Sequence, residues 1–354
     1  MDTPFFDSLL AAQGRYALAT VVHSIGSTPQ KAGAKALFFA DGRVVGTLGG
    51  GCLEAEAQRR ALRALDTGTP LDFEVRLDEV DGWDDGLVCG GKVRILIDPR
   101  KEAALPAIRE AVDAHGRGVA GILYIPLQGN GAPFTSPCWM RLDQVDAGFP
   151  PACAARIREL VQREQCAIVS PEAGGDIAPI YVEPVVAAPR LVIAGAGHIG
   201  RALAHFGALL GFEVTVIDDR PAFANTTHVP DAQHHVCGSI GGTLRALDSD
   251  TRTYFVIVTR GHQHDAEALE ACVHKPAAYL GLIGSKRKSL LLRQGLIDRG
   301  IATEADLARL VTPMGLDIGG RTVEEIALSI AAQLTAVRRR GRIEAAAMAL
   351  PLHP

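Results

Sequence analysis

Apolar residues gather in short runs separated by glycine-rich turns, and the spacing of those runs changes near residue 190. In the first half, residues 16–22 (YALATVV) form a strand-like run. Residues 36–40 and 43–48 form two more, joined by Asp41-Gly42 in the pattern of a hairpin. Gly49-Gly50-Gly51, followed by Cys52, Leu53 and Glu54, opens a helical pattern that runs through Leu65 and stops at Thr67-Gly68-Thr69-Pro70. Residues 73–77 and 92–97 read as strands on either side of an acidic loop at 78–85 and the triplet Cys89-Gly90-Gly91. The pattern is weaker over 101–189. It predicts a helix at 104–114, a strand at 120–125, a turn-rich loop at 128–137, a helix at 155–165 and a strand at 177–186 that runs into Ala187-Ala188-Pro189.

From Arg190 the order of elements is regular. LVIAGAGHIGRALAHFGALLGFEVTVIDDRP is an apolar strand, a glycine turn, an alanine-rich helix and a second strand ending in acids. Residues 253–259 (TYFVIVT) and 279–283 (YLGLI) read as further buried strands, each followed by a helical pattern, and 324–340 is a long final helix. This alternation predicts parallel strands with right-handed crossovers. The expected fold class is α/β, with an N-terminal mixed α+β domain over 1–187, including the weakly patterned 101–187, and a Rossmann-like doubly wound parallel sheet domain over 188–354.

Composition narrows the functional classes. A chain of 354 residues suggests about two domains of roughly 150 residues each. Thirty-six basic against 40 acidic side chains leave a net charge of −4, which argues against a nucleic-acid partner. No run approaches the ~18 apolar residues of a membrane span, and the acidic start MDTPFFDSLL lacks the basic region of a secretory signal. Seven cysteines, an odd number in a chain able to bury a core, do not read as a disulfide framework. A reducing, cytoplasmic setting is the expectation.

Three constellations carry candidate chemistry. In Gly195-Ala196-Gly197-His198-Ile199-Gly200, Gly195 permits a tight turn, Gly197 permits close backbone approach to a phosphate, and Gly200 permits close helix–strand packing. Helix N-terminal amides then favour the anion. Asp218, ending the next strand, is placed to accept a ribose hydroxyl pair, and His198 lies within the turn, near a phosphate or in solvent. The alternative is a nucleotide fold reused for another phosphate-bearing ligand or left empty. The second constellation is Gly49-Gly50-Gly51 with Cys52 at a helix start, a position that favours a thiolate able to bind a soft metal or attack sulfur. Cys89, flanked by glycine, repeats it, and the bland alternative for both is a small cysteine in a tight turn. Cys138, Cys153, Cys166, Cys237 and Cys272 read as structural or incidental. The third is Thr259-Arg260-Gly261-His262-Gln263-His264-Asp265 with Gly284-Ser285-Lys286-Arg287-Lys288, both at strand ends where open α/β sheets place ligand groups. The set suits a multiply charged anion; helix caps and solvated helix starts are the alternative. Thr322 and Glu325 have capping-box spacing.

In number and order these motifs resemble the XdhC/CoxI family of molybdenum-cofactor accessory proteins of xanthine dehydrogenase-type enzymes. The resemblance rests on GSTPQKAGAKALFFADGRVVGTLGGGCLEAEA, CGGKVRILIDP, IAGAGHIG, IDDRP, TRGHQHD, YLGLIGSKRK and PMGLDIGGRTVEEIALSI. Val323 stands where the family pattern has proline, and residues 101–189 add almost nothing. The resemblance implies a chaperone that binds molybdopterin (the molybdenum cofactor), protects it, supports its sulfuration and delivers it to a xanthine dehydrogenase-type molybdenum hydroxylase, with a cysteine desulfurase as a further partner and no turnover of its own. On that implication Cys52 and Cys89 contact the molybdenum or its sulfur, as metal ligands or sulfur relays. Gly49, Gly50 and Gly51 support anionic groups, and the Gly195–Gly200 turn holds a nucleotide or the cofactor's phosphate. His262, His264, Asp265 and Lys286 are expected to line a cleft between the domains. The alternative from a different class is an NAD(P)-dependent oxidoreductase acting on a small molecule, for which only the histidines near Arg260 offer a substrate-side acid or base. The long final helix points to a homodimer. The acidic loop and Arg338, Arg339, Arg340 and Arg342 read as solvated faces or partner patches.

Overall fold

The run at 16–22 lies at the centre of a five-stranded sheet because both of its faces are covered. In the computed structural model, which describes residues 3–77, 91–127, 134–170 and 178–341, the chain divides into two units, Met1–Ala187 and Ala188–Pro354. The first unit begins with helix α1 (Thr3–Ala11), strands β1 (Tyr16–Ile25), β2 (Lys35–Phe39) and β3 (Val44–Gly46), helix α2 (Gly51–Thr67), and strands β4 (Leu71–Arg76) and β5 (Lys92–Asp98). The sheet order is β3-β2-β1-β5-β4, antiparallel throughout. Along β1, Ala17, Ala19 and Val21 meet the buried face of α2. Tyr16 and Leu18 meet the side carrying α1 and helix α3 (Lys101–Gly116). A strand packed on both faces loses the alternation of apolar and polar positions, as YALATVV does.

Strands β6 (Gly121–Pro126) and β7 (Cys138–Arg141), helices α4 (Val145–Gly148) and α5 (Pro151–Arg163), and strands β8 (Ala167–Val169) and β9 (Ile180–Val185) complete the unit. They build a second antiparallel sheet of order β7-β6-β9-β8, with α5 on one face. The edge strands β7 and β8 have no counterpart among the sequence expectations. They are four and three residues long and only partly buried, and their pairing comes from β6 and β9.

The second unit comprises β10 (Arg190–Ala194), α6 (His198–Leu209), β11 (Glu213–Asp218), β12 (His234–Cys237), α7 (Ile240–Ala246), β13 (Thr253–Ile257), α8 (His262–Cys272), β14 (Tyr279–Leu282), α9 (Lys286–Asp298), α10 (Glu304–Leu307), β15 (Leu310–Val311) and α11 (Val323–Arg340). The six strands are parallel in the order β12-β11-β10-β13-β14-β15, so strand order reverses between β10 and β13. Helices α6 and α11 cover one face, where Leu191 and Ile193 of β10 point. Helices α7, α8 and α9 cover the other, where Val192 and Ala194 point. This is a Rossmann-like doubly wound sheet. Both reciprocal bonds of the Thr322–Glu325 capping box are formed at the start of α11, with Val323 as the first helical residue. Among the described residues, no helix is long and apolar enough to cross a membrane.

Candidate functional site

The glycine turn sits where open α/β sheets bind ligands, at the carboxyl end of β10 beside the switch point. Its three glycines are required for different reasons. Gly195 has φ +112°, and a Cβ there would lie 2.6 Å from the Val258 carbonyl oxygen. A Cβ on Gly200 would lie 1.9 Å from the carbonyl oxygen of Gly195, so helix and turn meet backbone to backbone. Gly197 differs. Its φ is −67°, available to any residue, and a Cβ there would meet nothing within 4 Å. No side chain caps α6, whose first residue, His198, is exposed. The turn is pinned from outside by His228, whose Nε2–H donates to the Ala196 carbonyl oxygen at 2.9 Å. His228 was not among the expected site residues, and its place in a loop carries no periodic signal.

Asp218 does not present its carboxylate to a sugar. The side chain is buried: Oδ2 accepts from the Ala196 N–H at 2.8 Å and from Arg220 Nη2 at 2.9 Å. Oδ1 accepts from the Arg220 N–H at 3.0 Å and from its Nε at 2.8 Å. The sequence expectation of a ribose acceptor is therefore corrected: this carboxylate holds the turn in place. Arg220 in turn stacks on Phe223, its Cζ 3.6 Å from the ring centroid. Burial pushes the Asp218 pKa up, but the Arg220 and Ala196 hydrogen bonds and the guanidinium charge outweigh it and hold the group down at about 2, against an ordinary 3.8. Because the folded-state value is the lower one, the stabilisation is present above the ordinary value and is lost as pH falls through the folded one. Urea unfolding should show stability dropping by on the order of 2 kcal/mol as the solution is acidified through that window. Asp218→Asn should flatten this acid limb.

The neighbouring Asp219 faces outward. Its Oδ2 accepts from Arg260 Nη2 at 2.8 Å, and His264 Nε2 lies 4.0 Å away. His262 is exposed and His264 is half-buried. Asp265 is corrected from a ligand-facing role, since its side chain is fully buried. It accepts from the Thr259 hydroxyl at 2.6 Å and is ion-paired with Lys288. The last cation of the Lys286-Arg287-Lys288 cluster thus ties α9 to the start of α8. Lys286 opens α9.

In the first unit, Gly49, Gly50 and Gly51 have φ of +113°, +76° and +58°, three successive left-handed residues that glycine alone adopts without strain. Cys52 follows in the first turn of α2 and is partly exposed. The turn's amides are not all free, which corrects the expectation of open anion donors. Glu54 Oε2 accepts from the Leu48 N–H at 3.1 Å, the Gly50 N–H at 3.3 Å and the Thr47 hydroxyl at 2.8 Å. The Gly49 N–H donates to Thr47 Oγ1 at 3.0 Å. Glu54 was legible only as an acid in a first helical turn. A Cβ on Gly49 would come within 2.4 Å of Pro29, and one on Gly91 within 2.4 Å of the Ser27 carbonyl oxygen. Gly49 and Gly91 therefore both abut the loop 27–30. Cys89, the acidic loop 78–85 and Arg342 lie outside the described residues. Burial pushes the Cys272 thiol up to about 12 and that of Cys166 to about 11, so neither is a thiolate. Among the described residues, no group of three or more His, Cys, Asp or Glu side chains is arranged to hold a metal ion.

A mixed α+β unit with a thiol beside a glycine turn, followed by a Rossmann-type unit, defines the class of protein. The model of the XdhC Rossmann domain matches residues 191–334, and that of the XdhC and CoxI family matches residues 9–77. The chain belongs to the XdhC/CoxI family. It is 28% identical over 340 residues to the uncharacterized protein YqeB of Escherichia coli K12, covering 96% of this chain but 46% of that protein, so the chain spans about half the length of this relative. It is 24% identical over 335 residues to the molybdenum cofactor insertion chaperone PaoD of the same organism, covering 94% of this chain and 86% of PaoD. A crystal structure described as a xanthine dehydrogenase from Bacillus halodurans matches with a TM-score of 0.78 at 25% identity, over 96% of each chain.

Proposed function

We propose that this protein is a molybdenum-cofactor insertion factor that binds a molybdopterin-type cofactor, protects it during sulfuration and passes it to a xanthine dehydrogenase-type hydroxylase. The observation that carries the reading is Gly197. Packing demands Gly195 and Gly200, whereas nothing among the described residues demands a glycine at 197. Close approach of a phosphate-bearing ligand to that backbone supplies the missing reason. The kinship with PaoD, an insertion chaperone by name, supports the same reading.

The cofactor supplies the molybdenum–sulfur centre on which the hydroxylase depends. In the C-terminal unit, Gly197 and the uncapped start of α6 would hold a phosphate group, while Asp218 and His228 keep the turn rigid. Taken by itself, the N-terminal unit would offer Cys52 as a soft ligand to a metal or its sulfur, Cys89 being the second candidate thiol in the sequence, and Glu54 orders the turn that positions Cys52. Purified wild-type protein should carry a pterin that fluoresces after oxidation. Gly197→Leu should lose it by about tenfold, the scale of roughly one mispositioned phosphate contact, with an unchanged melting temperature. Cys52→Ala should retain pterin but release molybdenum faster. A wild type that captures no pterin would overturn the proposal.

A further inference from the structure

Strands β11 and β13 flank β10 in register, with Ala194 opposite both Ile217 and Ile257. Asp219 leaves the end of β11, and Arg260 lies just past the end of β13. Joined by a 2.8 Å ion pair, the two side chains therefore reach toward each other across the two strand spacings at the end of β10, the strand that leads into the glycine turn. The two ends of this bridge are held unequally. Asp219 also has Arg220 Nε and His264 Nε2, each at 4.0 Å, so the Arg220 guanidinium stays beside it when Arg260 leaves. Arg260 has one hydrogen-bond partner among the described residues, Asp219, and its side chain is 52% exposed. The bridge is therefore cheap to open, and Arg260 is the end that moves.

The geometry points to Arg260 as a phosphate-binding residue held in reserve by Asp219, which clasps it across the mouth of the turn until an anionic ligand takes its place. This rests on the reading of the turn as a phosphate site and adds a gate to it. Arg220 does not fill that role, because Asp218 engages its backbone N–H and two of its guanidinium nitrogens. A guanidinium fork matches a phosphate as well as it matches a carboxylate, so exchange of one for the other keeps Arg260 paired throughout. No bond is made or broken beyond this exchange of ion pairs.

Calorimetric titration of the full chain with inorganic pyrophosphate tests the inference. Arg260→Ala should weaken binding about tenfold, the scale of a charge-assisted hydrogen bond. Asp219→Ala should tighten it about two- to fivefold, the equivalent of one exposed ion pair. The double variant Asp219→Ala/Arg260→Ala should bind no more tightly than Arg260→Ala alone, because Asp219 acts only through Arg260. Equal tightening by Asp219→Ala in both backgrounds would reduce its effect to general charge repulsion and overturn the clasp. So would an Arg260→Ala variant that binds like wild type. Gly197→Leu separates the two levels of failure: if it binds pyrophosphate like wild type, or if wild type binds none, the phosphate reading of the turn falls first and the clasp with it.

Discussion

Replacing Glu183 with leucine should destabilise the N-terminal unit by about 3–5 kcal/mol, the largest effect of any single change considered. Glu183 Oε2 lies 2.5 Å from Lys35 Nζ, and both side chains are 6% exposed. The pair joins β2 of one sheet to β9 of the other across 148 residues of sequence. Without the carboxylate, the Lys35 ammonium would keep, among the described residues, only the Gly33 carbonyl oxygen at 3.1 Å and the face of Phe6, with its centroid 5.5 Å away. Neither compensates a buried charge. The cost is therefore that of the orphaned ion rather than the worth of the pair. Lys35→Met/Glu183→Leu should recover most of it, because two apolar groups replace two desolvated charges. Urea unfolding of the two variants measures this, and a loss below about 1 kcal/mol in Glu183→Leu would show that the pair is solvated.

Gly200→Ala should be the second most damaging change, and the contrast with Gly197 gives it meaning. The added Cβ would sit 1.9 Å from a backbone oxygen, and that backbone is fixed because Gly195 donates to the Ile217 carbonyl oxygen at 2.8 Å. Either α6 lifts from the sheet or the turn breaks, at about 3 kcal/mol. For a unit of this size that is a fall of roughly 6–12 °C in the C-terminal unit's melting temperature. Gly197→Ala, with open space around it, should leave the melting temperature unchanged. A Gly200→Ala protein that melts with wild type would show that the close contact relaxes at no cost.

Much of the fold is written locally. The β10 run RLVIA and the β13 run TYFVI are continuous apolar stretches because both faces of a parallel sheet are covered, and such stretches are legible without partners. The turn glycines, the β2–β3 hairpin and the capping box at Thr322 are equally local, each set by the dihedrals or hydrogen bonds of a few adjacent residues. Residues 138–141 and 167–169 are not legible this way, since runs of four and three mostly half-buried residues become strands only when a neighbour offers a register.

Sequence alone determined the class of each unit, the position of the glycine turns and the residue types near them, because backbone dihedrals and apolar periodicity are properties of short segments. Tertiary structure decided which polar side chains are spent inside the protein. Asp218 turns in to the Ala196 amide while Asp219 turns out to Arg260, Asp265 disappears beneath Lys288, and Glu54 occupies amides that an external anion would otherwise take. Two adjacent acids look alike in sequence. Their fates diverge because a charged group settles wherever the assembled fold brings donors to it: Asp218 gains the Ala196 amide, 22 residues away, and Asp219 the Arg260 guanidinium, 41 residues away.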